Sequence, residues 1–584
     1  MNLSSKVIEE VVHPTAAFIQ RSSSSIRSDN TAQTTNIDTW EESPLNPKNR
    51  IDSLEIPSKS LWRVDGCGGL ATQYFVVPLF LPNPPPIRLD VYVEDPELPP
   101  LSRQLELNTA FHTKDSDRLS RLAITRHIVR TLKLWTEARF QDSEAFELFY
   151  KTVPFGSRLV FENLSLDIRK IKVRLGVNHN LERKLLSISA LGRLWGSNFR
   201  FPGVVDLFDL SVERILHDSV CLVRIDGQLF IFKALTSHAK YLYHELKTLC
   251  TIEPHPNIIA RPVHVVRKAC QFGAKKAVIG FTTIYHPKGS LRDILPQLRI
   301  HGRLRPSDQI KWSLQIVDAL EHLRSTSNTY YPDLRLDNLV LSDKSDVVMV
   351  DFEQRGVWCE FAAPEVNAIE YIRLIATEDR VPYDVREVYL KRLKHLVPDY
   401  DDLDTNIYTN PEHGYTIPWV ALSSAEQEAA EVYMLGRVLW CIFEGVSGPQ
   451  KAAVWQSYRW ESHLEFPEYD RTPLKMRTLI DWCTRGRRET LGSRVTRQCS
   501  RLILCNNYGA REQNEDNVRD AARQFWLEEL EVAERFLDLR NTERSRGKWK
   551  ENYFGRPSLK EVLAALQAYQ VEASQQVTVG TTSG

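Results

Sequence analysis

No two of the nine cysteines are spaced C-x-x-C, and all nine stand singly along the 584-residue chain. A zinc ribbon or a disulfide scaffold needs clustered pairs, so the scatter argues against both and fits a reducing compartment. Net charge is lacking too, because 75 Lys and Arg balance 75 Asp and Glu. That balance excludes a globally basic binder, and neither a nucleic-acid nor a membrane partner is expected. Long apolar runs are absent. The longest helical one, Val432 to Phe443, is interrupted by Arg437 and is too short to cross a bilayer. Glu9, Glu10 and His13 stand where a secretion signal would need unbroken apolar sequence. These absences predict an intracellular protein, cytoplasmic or nuclear.

What is present is globular composition: 42% hydrophobic and 26% charged residues exclude a wholly disordered chain. Residues 1 to about 60, with the Ser22–Ser25 tract and few apolar side chains, read as a disordered arm. From about 61 to 200 the pattern predicts a mixed α/β module of unassigned role. Ile171, Val173 and Leu175 alternate with Lys172 and Arg174 as in a half-buried strand, and Leu122 to Tyr150 lacks Pro and Gly and reads as helix. Pro82, Pro84, Pro85 and Pro86 mark a stiff connection.

From about 201 the chain turns to short strands. Val220 to Arg224 and Leu229 to Lys233 flank Asp226-Gly227, a dipeptide favoured in tight hairpins. Ser237 to Cys250 has apolar residues at helical spacing, and Val263 to Val266 and Ala277 to Tyr285 read as strands. Beyond Pro287 helices dominate. Ser424 with Gln427, and Ser558 with Glu561, have capping-box spacing, and Gly445 supplies a helix stop. A small strand-rich half before a larger helical half is an α+β, bilobal arrangement.

Within it, Tyr331-Pro332-Asp333-Leu334-Arg335-Leu336-Asp337-Asn338 resembles the catalytic loop of eukaryotic protein kinases, H-R-D-L-x-x-x-N. Val348-Met349-Val350-Asp351-Phe352-Glu353 resembles the strand and D-F-G that follow in that family. Phe230-Ile231-Phe232-Lys233 is similar to V-A-I-K, and Glu245 sits mid-helix where the lysine's partner lies. Ala363-Pro364-Glu365 matches A-P-E, Glu431 to Gly436 resembles the central C-lobe helix, and Gly555-Arg556-Pro557-Ser558 the start of the last helix. In the family that arginine pairs with the A-P-E glutamate. The ordered set implies a protein-kinase-like domain over 201–568. Its N-lobe would span about 201–285 and its C-lobe about 286–568, with insertions at about 366–420 and 489–553 and a disordered tail over 569–584.

The resemblance implies ATP and Mg²⁺ as cofactors. Lys233 would hold the α- and β-phosphates, fixed by Glu245. Asn338 and Asp351 are hard oxygen donors suited to Mg²⁺. Asp333 would orient the acceptor hydroxyl and take its proton, with Arg335 as the adjacent cation. Tyr285 and His286 would belong to the adenine-binding hinge.

The sequence also departs from the family. Leu210 to Ser219 contains no glycine where a phosphate-cradling loop needs it. Glu353 replaces the D-F-G glycine, and Pro332 the arginine that docks a phosphorylated segment. Asp351 to Glu365 has no Ser, Thr or Tyr, and eleven residues separate Asp351 from Ala363, about half the usual span. The charged run Asp520 to Arg540 reads as a solvated surface helix, and Arg485, Arg487 and Arg488 as a solvated face. Three functions follow: phosphoryl transfer to a protein Ser/Thr hydroxyl, a pseudokinase serving as nucleotide-binding or interaction scaffold, or phosphorylation of a small-molecule hydroxyl. A protein substrate or binding partner is implied.

Overall fold

Helices make up 49% and strands 17%, an α+β composition built on several separate sheets. The computed structural model describes residues 10–19, 60–68, 71–93, 101, 104–107, 110, 116–271, 275–327, 329–357, 359–401, 414–449, 464–498, 501–505 and 514–581. The chain divides into two compact units. One comprises Gln20–Leu242 and Pro262–Tyr285; the other comprises Met1–Ile19, Tyr243–Arg261 and His286–Gly584.

The first unit contains two sheets. Strands β1 (Trp62–Gly68), β2 (Gln73–Pro78), β3 (Asp90–Val93), β4 (Arg158–Glu162) and β5 (Lys172–Gly176) lie in that order, antiparallel except for the β3–β4 pair. A parallel pair needs a crossover, and two helices, Ala123–Arg139 and Ser143–Thr152, lie within it. The single helix expected over Leu122 to Tyr150 breaks because Phe140 takes an extended conformation. Asp142 then caps the second helix, accepting from Ala145 N at 2.8 Å. The proline run is packed rather than a free connection: Pro84 O accepts from Val212 N at 2.8 Å and Pro85 O from the Tyr150 hydroxyl at 3.1 Å.

The second sheet runs β6 (Gly203–Asp206), β10 (His264–Ala269), β11 (Lys276–Ile284), β9 (Gln228–Ala234), β8 (Val220–Ile225) and β7 (Ser211–Ile215). Asp226 and Gly227 both have positive φ, 47° and 81°, the backbone that a two-residue hairpin between right-twisted strands requires. Gly280 on β11 lets the strands close, since a Cβ there would lie 2.3 Å from Lys233 O. The sequence suggests a module boundary near 200, but strong ties cross it. Lys268 and Glu182 form a fully buried ion pair at 2.9 Å, and Asp65 accepts from Ile215 N at 2.7 Å.

The second unit is mainly helical, with the hairpins β12 (Leu339–Leu341)–β13 (Val347–Met349) and β14 (Val495–Gln498)–β15 (Arg501–Leu504). Its central helix, Ser424–Glu444, is buried from Ala429 through Glu444. The capping box at its start uses Ser423 and Glu426, one residue before the expected pair. Arg540 holds Glu426 in place at 2.6 and 2.7 Å, while the Ser424 hydroxyl accepts from Arg324 at 3.0 Å. Gly445 ends the helix in the left-handed conformation. The pairing of Ser558 with Glu561 starts the last helix, Leu559–Thr581, which continues into the span expected to be a disordered tail, whose last three residues lie outside the described ones.

Two other expectations change. Residues 10–19, inside the expected disordered arm, form a 3₁₀ turn over Pro14–Ala17 that buries Val11, Ala16 and Ala17. They dock on the helix Glu515–Ser545, where Trp526 Nε1 donates to Val11 O at 2.8 Å and Arg519 meets Glu10 at 3.1 Å. The Ser22–Ser25 tract lies outside the described residues. That long helix is also not merely a solvated charged rod: Val518, Ala522, Phe525, Leu530, Ala533 and Leu537 form a buried stripe. Among the described residues no helix is long and apolar enough to cross a membrane.

Candidate functional site

Leu334, Leu336 and Leu339 are fully buried and anchor the loop Tyr331 to Asn338 in the core. The loop ends in a 3₁₀ turn, Leu336–Asn338, which leads directly into β12. Asn338 Nδ2 donates to both the backbone O and Oδ2 of Asp333, each at 3.0 Å. Arg335 Nε lies 3.1 Å from the same Oδ2. Asp337, 3.9 Å from Arg335, also receives Arg292 at 2.6 Å. Burial pushes the Asp333 carboxyl above its usual range; Arg335 opposes the rise and the Asp351 charge adds to it.

The start of the loop is tied to the central helix. Tyr331 N donates to Glu431 Oε1 at 2.7 Å, and Arg324 donates to Oε2 at 2.9 Å. Burial nevertheless raises the Glu431 carboxyl to about 7. The Tyr331 hydroxyl donates to Val350 O, and Val350 N donates to Asn338 O at 2.9 Å. These two bonds join the Tyr331–Asn338 loop to the segment carrying Asp351.

Asp351 has φ 67°, a left-handed conformation that Asp tolerates better than most side chains. Phe352 is fully buried against the Tyr331 ring at 5.1 Å, and its N–H donates to Glu245 Oε1 at 2.9 Å. Glu245, Asp351 and Glu353 each offer a carboxylate oxygen within 4.8 Å of the others. Such a hard-oxygen set suits a divalent cation. Arg355 pairs with Glu353 at 2.5 Å. Gln354 then fixes the following turn, accepting from the His244 ring at 2.8 Å and donating to Tyr330 O at 2.8 Å.

The site residues expected from sequence therefore fall into two sets. Glu245, Asp333, Arg335, Asn338 and Asp351 belong to the mainly helical unit, where the Tyr331–Asn338 loop and the Asp351 segment are hydrogen-bonded together. His286 begins the last segment of that unit, half-buried, with burial holding its imidazole below the usual value. Lys233 and Tyr285 belong to the two-sheet unit. Lys233 is buried on β9, between β8 and β11, and Tyr285 follows β11. Arg556 and Glu365 form a bidentate buried pair at 2.5 and 3.0 Å, as the resemblance implies. Sequence reasoning missed Glu353, Gln354 and Asp337 as members of this network. Glu353 had registered only as a lost glycine, although a third carboxylate two residues from Asp351 was itself the signal.

No protein-family model matches the chain, and no curated protein matches its sequence.

Proposed function

We infer that the chain transfers the γ-phosphoryl group of ATP to a Ser or Thr hydroxyl of a protein substrate, as a divergent bilobal protein kinase. The observation that carries this reading is Asp333, whose carboxylate is oriented by the Asn338 amide and the Arg335 guanidinium in a loop bonded to the Asp351 segment. Asn338 spends its amide hydrogens on Asp333, which leaves Oδ1 as its ligand atom. Asn338 and Asp351 would hold Mg²⁺, with Glu353 alongside, and the ion would neutralise phosphate charge. Asp333 would accept the hydroxyl proton as its oxygen bonds to the γ-phosphorus and the bond to ADP breaks. The raised Asp333 affinity for protons suits a base better than an ordinary exposed aspartate would.

The second reading is a pseudokinase scaffold, favoured by the lack of glycine over Leu210 to Ser219. Thermal stability with ATP, with and without Mg²⁺, separates the two, since a ligand bound only by the folded state raises stability. A Mg²⁺-dependent rise supports the enzyme; no shift at millimolar nucleotide favours the scaffold. Labelled phosphate transfer is then compared between wild type and Asp333→Asn, with protein and small-molecule acceptors offered in parallel. Loss of about 10²-fold or more is expected, on the usual scale for a positioned base. Equal incorporation in both proteins overturns the assignment, and label confined to small molecules replaces the acceptor class.

A further inference from the structure

The run Val432 to Phe443 contains one charged residue, Arg437, in a helix that is buried throughout this stretch. Five arginines are buried among the described residues. Four of them have a carboxylate partner: Arg88 with Asp90, Arg292 with Asp337, Arg540 with Glu426 and Arg556 with Glu365. Arg437, 4% exposed, has none among the described residues. Its guanidinium donates to Glu360 O and to the Tyr433 hydroxyl at 2.9 Å, and it lies over the Tyr433 and Phe466 rings at 5.2 and 5.1 Å. Its Nε is buried without an acceptor. A buried charge without a counter-ion is costly, and this one borders a cavity.

That cavity has a volume of about 710 Å³, within the range of small-molecule sites. Tyr371, Phe525, Trp526 and Phe536 line it, together with Arg437. The buried carboxylates of the same wall are already committed: Glu365 to Arg556, Glu370 to Arg373 and Glu529 to Arg488. Glu360 and Glu465, half-exposed at its border, have interactions of their own. The Asn367 Oδ1 on this wall is buried without a donor.

We propose that this cavity binds a small amphipathic anion, an apolar body bearing one carboxylate or phosphate, whose head group pairs with Arg437. The apolar walls take the body, and the anion supplies the counter-charge that the fold leaves out. The site lies within the mainly helical unit and does not depend on the phosphotransferase reading.

Calorimetric titration of the full chain with dodecanoate, dodecyl phosphate and dodecanol tests it, below the micellar concentration of each. At least one anion binds saturably at one per chain, and the tighter of the two identifies the head group. Arg437→Met keeps the length of the stem and removes the charge. It weakens the anion by at least about tenfold, the scale of one charge-assisted contact, while leaving dodecanol unchanged. Absence of saturable anion binding, or equal anion affinity in wild type and R437M, overturns the proposal. Without ligand, R437M melts at or above the wild-type temperature, because an unpaired buried charge has gone. Should R437M not fold, Ala533→Met fills the cavity from the helix Glu515–Ser545 and abolishes anion binding; wild-type affinity in A533M overturns the proposal.

Discussion

Glu431 is a carboxylate with no solvent exposure that accepts from Tyr331 N and Arg324, yet burial dominates both contacts and lifts it from 4.5 to about 7. Between those values the folded state holds a proton that the unfolded state has released. The contribution to stability is therefore fully present below about pH 4.5 and is lost as pH rises through 7, by up to roughly 3 kcal/mol. Glu431→Gln keeps an acceptor for Tyr331 and cannot titrate. Its stability relative to wild type should improve from pH 5 to pH 8 by that amount, read from urea-unfolding midpoints; a constant difference would show that Glu431 is ionised throughout. At this scale the meeting of Asp333 with Asn338 was legible in the sequence because both lie in one short loop. The sequence could not disclose the isolation of Arg437, since whether a buried arginine has a partner depends on residues far away in the chain.

At the scale of elements, local chemistry was legible wherever it was self-contained. Asp226-Gly227 dictates its own backbone and produced the expected hairpin; Gly445 likewise stopped its helix. Errors arose where a distant residue decided between neighbours. Arg540 selected Glu426, so the cap moved to Ser423, and the 31-residue helix Glu515–Ser545 buried a stripe that its many charges had masked. The pair Arg556–Glu365 spans 191 positions and was nonetheless legible, through the resemblance alone. It ties the start of the helix Pro364–Thr377 to the turn before the last helix, and Arg556 also donates to Ala429 O at 2.9 Å. Arg556→Met should lower stability by about 3–5 kcal/mol by leaving Glu365 buried and unpaired. Adding Glu365→Gln should restore part of that loss. Chemical unfolding of the two variants checks this, and a loss under 1 kcal/mol in R556M would mean that water reaches Glu365.

At the scale of the whole molecule, the balanced charges include buried ion pairs between residues distant in sequence. The division into units also follows long-range contact more than composition, because the 61–200 sequence and strands β6 to β11 share one unit. Composition failed most clearly at residues 10–19. A polar, serine-bearing region reads as an arm, but one short apolar patch finds the buried stripe of a helix some 500 positions away. Trp526 to Val11, Arg523 to Ala17 O at 3.2 Å and the Phe18–Tyr389 ring contact at 5.8 Å fix it there. Burying Val11 with Ala16 and Ala17 is worth on the order of 3 kcal/mol before the entropy of ordering the segment is subtracted. Deleting residues 1–19 should therefore lower the melting temperature by a few degrees. Trp526→Phe, which keeps an aromatic ring but removes the donor to Val11, should cost about 1 kcal/mol more in the full chain than in the deletion variant. Equal effects of Trp526→Phe in both backgrounds would show that Trp526 stabilises the helix without the segment, and that residues 10–19 are not held by it.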